Sequence, residues 1–304
     1  MLRLTHLALA GLLATLSAAA PSRAATGGAA LTTHTLLSGG LLRSYHVACP
    51  EGLTPGALAP VAVCFHGAGS NGPAAAQNFG FLEEALARGW IAVFPDGVAF
   101  PNEPGLTTWN AGDCCGPALE QGVDDVGFFA DVLKDLASEL PVDLARVCVA
   151  GFSNGGMLTY RIGSERPDLV AAIAPVAASL QATPPQAPLP TVSFFGFQDG
   201  IVPFDGGLGG GDLAGGALLF DSQVNSLTAV LSANQGTAPL LVLQDPTALA
   251  WVVPGAATTA YFLALDGGHT WPGQGNPSIE PLHTTYPATP LIFDFFEAEL
   301  GLLR

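Results

Sequence analysis

The sequence predicts an α/β fold in which a mainly parallel sheet is covered by helices on both faces. Short apolar runs typical of buried strands alternate with longer segments of helical periodicity along most of the chain, and this alternation is characteristic of parallel sheets. One strand leads directly into a helix through a turn with glycines at positions 151 and 155. Because no linker or internal repeat interrupts the pattern, we expect residues 25–304 to form one domain.

The composition favours a protein with a large core and excludes two classes of partner. Of the 304 residues, 49% are hydrophobic and only 11% are charged, a balance that is incompatible with general disorder. The 25 acidic and nine basic residues give a formal net charge of −16. Since binding to nucleic acid or to anionic membranes depends on clustered lysines and arginines, we expect neither as a partner.

Residues 1–24 have the pattern of a secretory signal peptide. Arg3 and His6 precede an apolar run over residues 7–16, and small residues then lead to a cleavage site after Ala24. The apolar run is too short to span a bilayer comfortably. We therefore expect a secreted protein, either extracellular or periplasmic.

Five cysteines leave the disulfide pattern open. Cys64 and Cys148 lie in apolar strands and are expected to be buried thiols, whereas Cys114 and Cys115 are adjacent in a glycine-flanked loop. Export permits disulfides, so we expect at least one of this pair to be bonded, with Cys49 as the candidate partner. Because no cysteine or histidine cluster has the spacing of metal ligands, we expect no metal site.

The N-terminal half is expected to form a β-hairpin followed by alternating strands and helices. Residues 31–47 alternate in polarity around a turn at 38–40, which predicts the hairpin. The other predicted elements of this half are strands over residues 61–65 and 90–94 and helices over residues 74–88 and 123–140.

The C-terminal half continues the same alternation. Predicted strands cover residues 147–150, 170–176, 192–195 and 258–265, and helical patterns cover residues 157–161, 227–234 and 290–302. The glycine-rich stretch 206–216 is either a flexible surface loop or a mobile wall of the active site.

The turn at residues 151–155 carries the candidate nucleophile. Its pattern, Gly-x-Ser-x-Gly between a strand and a helix, is typical of the nucleophile elbow of α/β-hydrolases. In such a turn Ser153 adopts a strained backbone conformation, and the neighbouring glycines avoid clashes with the strand and the helix. The helix N-terminus beside the serine favours developing negative charge. A plain strand-to-helix turn is the alternative interpretation.

A serine hydroxyl needs a general base and a group that orients this base. In α/β-hydrolases the acid and the histidine follow the serine along the chain, each on a loop after a later strand. Asp199 lies just past the strand at 192–195, and His269 lies just past the strand at 258–265. We therefore predict Ser153, Asp199 and His269 as the catalytic residues.

Four other residues are weaker candidates for the base and the acid. His283 lies in a proline-rich segment and is expected at the surface, while His66 precedes the serine, where this fold builds its oxyanion hole. Asp205 lies farther into a glycine-rich loop, and Asp266 is too close in sequence to His269 to be its usual partner.

Acyl transfer also needs N–H donors for an oxyanion. We expect these donors to be the backbone N–H groups of Asn154, directly after the serine, and of Ala68, in the His-Gly-Ala-Gly loop that follows an early strand. Trp109 and Trp271 could either line an apolar acyl pocket or pack in the core, and the sequence favours neither interpretation.

Seven short segments, in order along nearly the whole chain after the leader, carry a resemblance to a known family. The segments are RSYHVACP (43–50), VCFHGAGSNG (63–72), FPDGV (94–98), WNAGDCCGPA (109–118), VDDVGF (123–128), GFSNGGM (151–157) and GGHTWPG (267–273). They resemble the secreted esterases grouped with polyhydroxybutyrate depolymerases, a family close to feruloyl and acetylxylan esterases. The resemblance implies a cofactor-free serine esterase and maps its triad onto Ser153, Asp199 and His269. The family's acid motif often reads H-G-T-x-D, whereas this chain has FGFQD at 195–199.

The resemblance implies an ester as the substrate. A short-chain hydroxyalkanoate polyester of the polyhydroxybutyrate type, or its oligomers, is the first expectation, and feruloyl or acetyl esters on plant polysaccharide are the second. An acyltransferase with the same triad and a non-catalytic binding protein on a hydrolase scaffold are further alternatives. An intact triad with an oxyanion loop argues against the non-catalytic alternative, and the oligomeric state is open.

Overall fold

The computed structural model describes residues 30–53, 56–212, 215–274 and 281–303. The predicted leader, residues 1–24, lies outside these ranges. Within them, no helix has both the length and the apolar character that are needed to cross a bilayer.

The strands and helices follow one another in the alternation that the sequence predicts. The strands are β1 Thr32–Ser38, β2 Leu41–Ala48, β3 Ala59–Phe65, β4 Ile91–Pro95, β5 Val98–Phe100, β6 Glu103–Thr108, β7 Val142–Phe152, β8 Ala172–Val176, β9 Thr191–Gly196, β10 Gly207–Gly211, β11 Gly216–Phe220, β12 Leu240–Asp245, β13 Ala248–Val253 and β14 Thr259–Ala264. The helices are α1 Gly72–Asn78, α2 Phe81–Ala87, α3 Gly116–Glu120, α4 Asp125–Glu139, α5 Asn154–Glu165, α6 Gln223–Ala233 and α7 Ala288–Glu299, with a 3₁₀ turn at Pro167–Leu169.

Ten of these strands form one mixed sheet in the order β1-β2-β4-β3-β7-β8-β9-β14-β13-β12. In this order, the six central strands β4, β3, β7, β8, β9 and β14 are parallel to one another. The two outermost strands on each side, β1 and β2 and then β13 and β12, pair antiparallel with their neighbours. The carboxyl ends of the parallel strands therefore meet at one edge of the sheet. The predicted fold class and the N-terminal hairpin are confirmed.

Each face of the sheet is covered by its own apolar cluster. One cluster joins the sheet to α1, α2 and α7 through residues such as Ala75, Phe81 and Phe293. The other cluster joins the opposite face to α4 and α5 through residues such as Phe129 and Leu158. This double coverage explains why the central strands read as continuous apolar runs in the sequence.

Three local predictions differ from the structure. The single helix expected over 74–88 is two helices, because Gly80 between them has φ +63° and the chain changes direction there. The stretch 206–216 falls largely in the β10–β11 hairpin, in which Leu208 lies opposite Leu219. Strands β12 and β13 extend the sheet beyond β14 and were not predicted, because their polarity alternates only weakly.

The cysteines agree with the sequence in part. Cys64 and Cys148 are buried free thiols, as predicted, and burial raises the pKa of both. The candidate pairing of Cys49 is not seen, because Cys49 is an exposed free thiol and the Cys114 and Cys115 sulfurs lie against each other. Cys49 follows the end of β2, which lies beside the amino end of the antiparallel β4, at the edge of the sheet opposite Ser153.

A buried ion pair ties the N-terminal hairpin to the rest of the molecule. The Arg43 guanidinium on β2 donates to Asp125 Oδ1 on α4 at 2.8 Å and lies 4.0 Å from the centre of the Phe128 ring. The second carboxylate oxygen of Asp125 accepts the Asn110 N–H at 2.7 Å. Both charged side chains are almost completely buried, so each depends on the other for compensation of its charge.

We expect Asp125→Asn to lower the free energy of unfolding by about 3–5 kcal/mol, because the substitution leaves the Arg43 charge buried without a counter-ion. Urea unfolding of the two proteins measures this difference. Asp168→Asn is the matched control, since the Arg166–Asp168 pair is exposed and such pairs contribute about 1 kcal/mol or less. Equal losses in both variants would contradict the assignment of stability to the buried pair.

Candidate active site

The turn at Ser153 has the geometry that the sequence predicts. Ser153 has φ +54° and ψ −122°, and its N–H donates to the Val176 carbonyl of β8 at 2.9 Å. Helix α5 begins at the next residue, and its first turn has N–H groups without partners inside the helix. A side chain at Gly155 would overlap the carbonyl oxygens of Phe65 and His66. The glycine is therefore required for the close approach of the turn to β3.

Three of the predicted site residues form a continuous hydrogen-bonded chain. Ser153 Oγ lies 2.8 Å from His269 Nε2, and His269 Nδ1 lies 2.8 Å from Asp199 Oδ2. Because a carboxylate only accepts, Nδ1 carries the proton and Nε2 is left to accept from the serine hydroxyl. The other oxygen of Asp199 accepts the N–H groups of Ile201 and Val202 at 2.9 and 2.7 Å. The carboxylate is thus fixed in position with its side chain fully buried.

The rival residues lie outside this chain of hydrogen bonds. The expectation that His283 is at the surface is wrong, because its side chain is 0% exposed and its Nδ1 contacts Asp266 Oδ1. His283 also packs against the Tyr286 ring, so the proline-rich segment folds back over the loop that carries His269. Asp266 is therefore engaged with another histidine, and Asp205 is exposed.

The two predicted oxyanion donors are brought near the serine in different ways: Asn154 follows Ser153 directly, and the loop of Ala68 approaches Ser153 at Gly67. Asn154 is the first residue of α5, and Ala68 lies in the loop after β3. No backbone acceptor in the described ranges takes the Ala68 N–H. The role of these two N–H groups as oxyanion donors stays a prediction.

His66, the first residue of the loop after β3 (residues 66–70, the predicted oxyanion loop), is completely buried and has a fixed tautomer. Its Nε2 accepts the Gly97 N–H at 3.1 Å, and its Nδ1 donates to the Gly67 carbonyl at 2.7 Å. Burial lowers the pKa of His66 to about 4, although the bond to the Gly67 carbonyl opposes this shift. The neutral imidazole thereby orients the peptide that joins Gly67 to Ala68.

Trp109 and Trp271 both pack in the core, with exposed fractions of 0% and 1%. The Trp271 ring stacks on Phe79 with ring centroids 4.4 Å apart, and its indole N–H donates to Thr289 Oγ1 at 2.9 Å. The Trp109 indole N–H donates to the His66 carbonyl at 2.9 Å. Of the two interpretations that the sequence left open, core packing describes both side chains.

The histidine has an aromatic neighbour that the sequence did not predict. Phe152 is partly exposed, and its ring centroid lies 5.0 Å from that of His269. The same ring packs against Phe79, which in turn stacks on Trp271. Phe152 is the variable residue before the serine in Gly-x-Ser-x-Gly, so its position in the motif was the available signal.

Three potential metal ligands come together away from the hydrogen-bonded chain of Ser153, His269 and Asp199. Single ligand atoms of His34, Asp135 and Glu139 lie within 4.8 Å of one another, although the sequence spacing gave no sign of a cluster. His34 Nδ1 lies 3.2 Å from Glu139 Oε2, and the Tyr45 hydroxyl donates to Asp135 Oδ2 at 2.6 Å. These contacts join the N-terminal hairpin to α4, and they give each of the three residues a structural role.

The comparisons with known proteins identify esterases as similar chains. No family model matches the sequence. It is 34% identical to feruloyl esterase B of Piromyces equi over 55% of this chain and 31% of that protein. It is 30% identical to the putative esterase NocK of Nocardia uniformis subsp. tsuyamanensis over 59% of this chain and 51% of that protein. The chain thus matches between about a third and a half of the length of these curated relatives.

A solved structure with the same fold covers almost the whole chain. It is a ferulic acid esterase of Anaeromyces mucronatus in complex with ferulic acid, with a TM-score of 0.57, 17% sequence identity, and coverage of 93% of this chain and 97% of that one. At this identity the likeness establishes the α/β-hydrolase fold of the esterases, and it agrees with the topology described above.

The buried neutral His66 predicts a pH dependence of stability. The pKa of His66 in the folded protein is about 4, below the ordinary value of 6.5. Between these two pH values the imidazole is therefore protonated in the unfolded chain and neutral in the folded protein. The free energy of unfolding should therefore fall as the pH is lowered from about 6.5 towards 4, by up to about 1.4 kcal/mol per pH unit from this group. Urea unfolding of the wild type and of His66→Asn at pH 7, 6 and 5 measures this. The stability difference between them should shrink as the pH falls, and a constant difference would contradict the prediction.

Proposed function

We propose that the protein is a serine esterase in which Ser153, His269 and Asp199 form the catalytic triad. The observation that carries the proposal is the pair of 2.8 Å contacts that link these three side chains. A nucleophile beside a base, with the base oriented by a buried carboxylate, is the arrangement that acyl transfer requires. No step of this chemistry needs a cofactor.

In the proposed acylation step, Ser153 Oγ attacks the ester carbonyl while His269 Nε2 takes the hydroxyl proton. The negative charge that develops on the carbonyl oxygen is held by the N–H groups of Asn154 and Ala68. Asp199 keeps Nδ1 protonated and stabilises the imidazolium that forms. His269 then gives its proton to the leaving alcohol as the tetrahedral intermediate collapses to the acyl-enzyme.

Deacylation uses the same groups with water as the nucleophile. His269 Nε2 accepts a proton from water, which attacks the acyl carbonyl, and the second tetrahedral intermediate expels Ser153 Oγ. The serine recovers its proton from His269, and the acid product leaves. An alcohol in place of water would give transfer instead of hydrolysis by the same route.

We propose feruloyl esters as the substrate class. Support comes from the sequence relative that is named a feruloyl esterase, and from the partly exposed Phe152 ring beside His269, against which an aromatic acyl group can pack. Acetyl esters of plant polysaccharide are the next candidate. The polyester expected from the first resemblance ranks below both, because sequence relatives are named a feruloyl esterase and an acetylxylan esterase/xylanase.

A substrate panel tests this proposal. The purified protein is assayed with methyl ferulate, p-nitrophenyl acetate, acetylated xylan and hydroxybutyrate oligomers, and kcat/KM is compared. We expect methyl ferulate to rank first and Ser153→Ala to lose activity by about 10⁶-fold. A higher kcat/KM for hydroxybutyrate oligomers would make the polyester the substrate class. Wild-type activity in Ser153→Ala, or no hydrolysis of any ester by the wild type, would refute the triad or the esterase proposal.

The choice of the acid is tested by two matched aspartates. Asp199→Asn should lower kcat by roughly 10⁴-fold with little loss of folding, because the amide favours the wrong tautomer of His269. Asp205→Asn removes an exposed carboxylate from the same loop region and should change kcat little. Steady-state kinetics on p-nitrophenyl acetate give both values, and the reverse ranking would show that Asp199 is not the triad acid.

A further inference from the structure

The two proposed oxyanion donors belong to different parts of the chain. Ala68 lies in the loop after β3, whereas Asn154 begins α5 directly after the serine. An oxyanion accepts both bonds only if the donors are held about 2.7–3.1 Å from one oxygen position. Some contact must therefore fix the loop relative to the helix, because positional errors of about 0.5 Å already impair such sites.

Trp109 is held to the nucleophile turn by its main chain. Its N–H donates to Asn154 Oδ1 at 2.8 Å, and the Asn154 Nδ2 group donates back to the Trp109 carbonyl at 3.0 Å. The side-chain amide of Asn154 thus forms the same two hydrogen bonds with Trp109 that a neighbouring main chain would form in a β-sheet. Both residues are buried, with exposed fractions of 0% and 1%.

The side chain of Trp109 is held to the oxyanion loop. Its indole N–H donates to the His66 carbonyl at 2.9 Å, and its ring packs on the His66 ring with centroids 4.8 Å apart. The His66 carbonyl is one of the two that Gly155 approaches closely. The same indole therefore meets the oxyanion loop at the point where this loop contacts the nucleophile turn.

Thr107 extends the contact along the loop. The Gly69 N–H donates to the Thr107 carbonyl at 3.0 Å, and the Thr107 N–H donates to the Ser70 carbonyl at 3.0 Å. The Thr107 hydroxyl lies 2.8 Å from His66 Nε2, the ring that orients the peptide between Gly67 and Ala68. The segment 107–109 thus bonds to both ends of the oxyanion loop.

We propose that Trp109 is a positioning residue that fixes the Ala68 donor relative to the Asn154 donor, an inference that rests on the proposed esterase function. Its main chain holds the helix side of the oxyanion hole, and its indole N–H holds the loop side. Trp109 is buried and bonds to Asn154 and to His66. It acts on the reaction through the separation of the two donors.

Trp109→Phe tests the proposal, because it keeps an aromatic ring and the main-chain bonds but removes the indole N–H. Trp90→Phe is the matched control, since Trp90 is 1% exposed and packs on Phe293 of α7. Three measurements are compared with the wild type: amide hydrogen exchange of residues 66–70 and 153–157, kcat and KM for p-nitrophenyl acetate, and the affinity for a boronic acid that forms a tetrahedral adduct with Ser153.

We expect Trp109→Phe to increase exchange in the 66–70 segment and to lower kcat by roughly 10- to 100-fold, with KM changed by about threefold or less. The boronic acid should lose affinity by a similar factor, because it imitates the tetrahedral state. Trp90→Phe should leave the exchange of the 66–70 segment and kcat at wild-type values. If the smaller Phe side chain acted only by leaving a cavity, both variants would lose stability, and kcat would not fall selectively in Trp109→Phe.

Two outcomes would overturn the proposal. Unchanged exchange of the 66–70 segment in Trp109→Phe would show that the indole does not hold the loop, whether or not the protein hydrolyses esters. Increased exchange with wild-type kcat would show that the loop position does not matter for the reaction.

If Trp109→Phe fails to fold, 3-benzothienylalanine at position 109 replaces the N–H by sulfur at nearly constant shape, and the same measurements decide. A wild type that hydrolyses no ester refutes the esterase function, while the exchange data still decide whether Trp109 holds the loop.

Discussion

The close approach of the nucleophile turn to β3 is the constraint on which the arrangement of the site depends. Gly155 lies against the carbonyl oxygens of Phe65 and His66, in space that no side chain could share. This contact places the start of α5 beside the loop after β3, and the turn before it has Ser153 at φ +54° and ψ −122°. Such a conformation costs on the order of 1–3 kcal/mol for a residue with a side chain. Packing of β7 between two parallel neighbours offsets this cost, because a relaxed turn would break the ladder on both sides.

The segment that follows β6 connects stability with the geometry of the site. Asn110 donates its N–H to Asp125, which is paired with Arg43 in the core. Trp109, the preceding residue, bonds to the nucleophile turn and to the oxyanion loop. The charge pair therefore anchors one end of a segment whose other contacts set the positions of Asn154 and Ala68. A loss of the ion pair would affect the site through this segment rather than through any contact with the reacting atoms.

Much of the fold could be predicted from the sequence, because its signals are local. The period of apolar residues predicted the central strands, and the glycines around Ser153 predicted the turn. The positions of Asp199 and His269 follow from topology, since β9 and β14 are adjacent parallel strands whose carboxyl ends meet at one edge of the sheet. Any residue directly after these strands is brought to that edge. Their catalytic roles are predictions that the proposed experiments test.

What could not be predicted depends on partners that are distant in the sequence. His283 was expected at the surface because its proline-rich neighbours indicate a loop, yet the loop folds inwards and Asp266 meets the imidazole. Cys49 was expected to pair because it was the available thiol, yet the direction of β2 carries it to the other edge of the sheet. Trp109 shows the same limit most clearly. The sequence left open whether Trp109 packs in the core or lines an acyl pocket, and the acceptor of its indole N–H is 43 residues away. A single sequence reveals which groups need partners, and only the packed structure determines which partners they find.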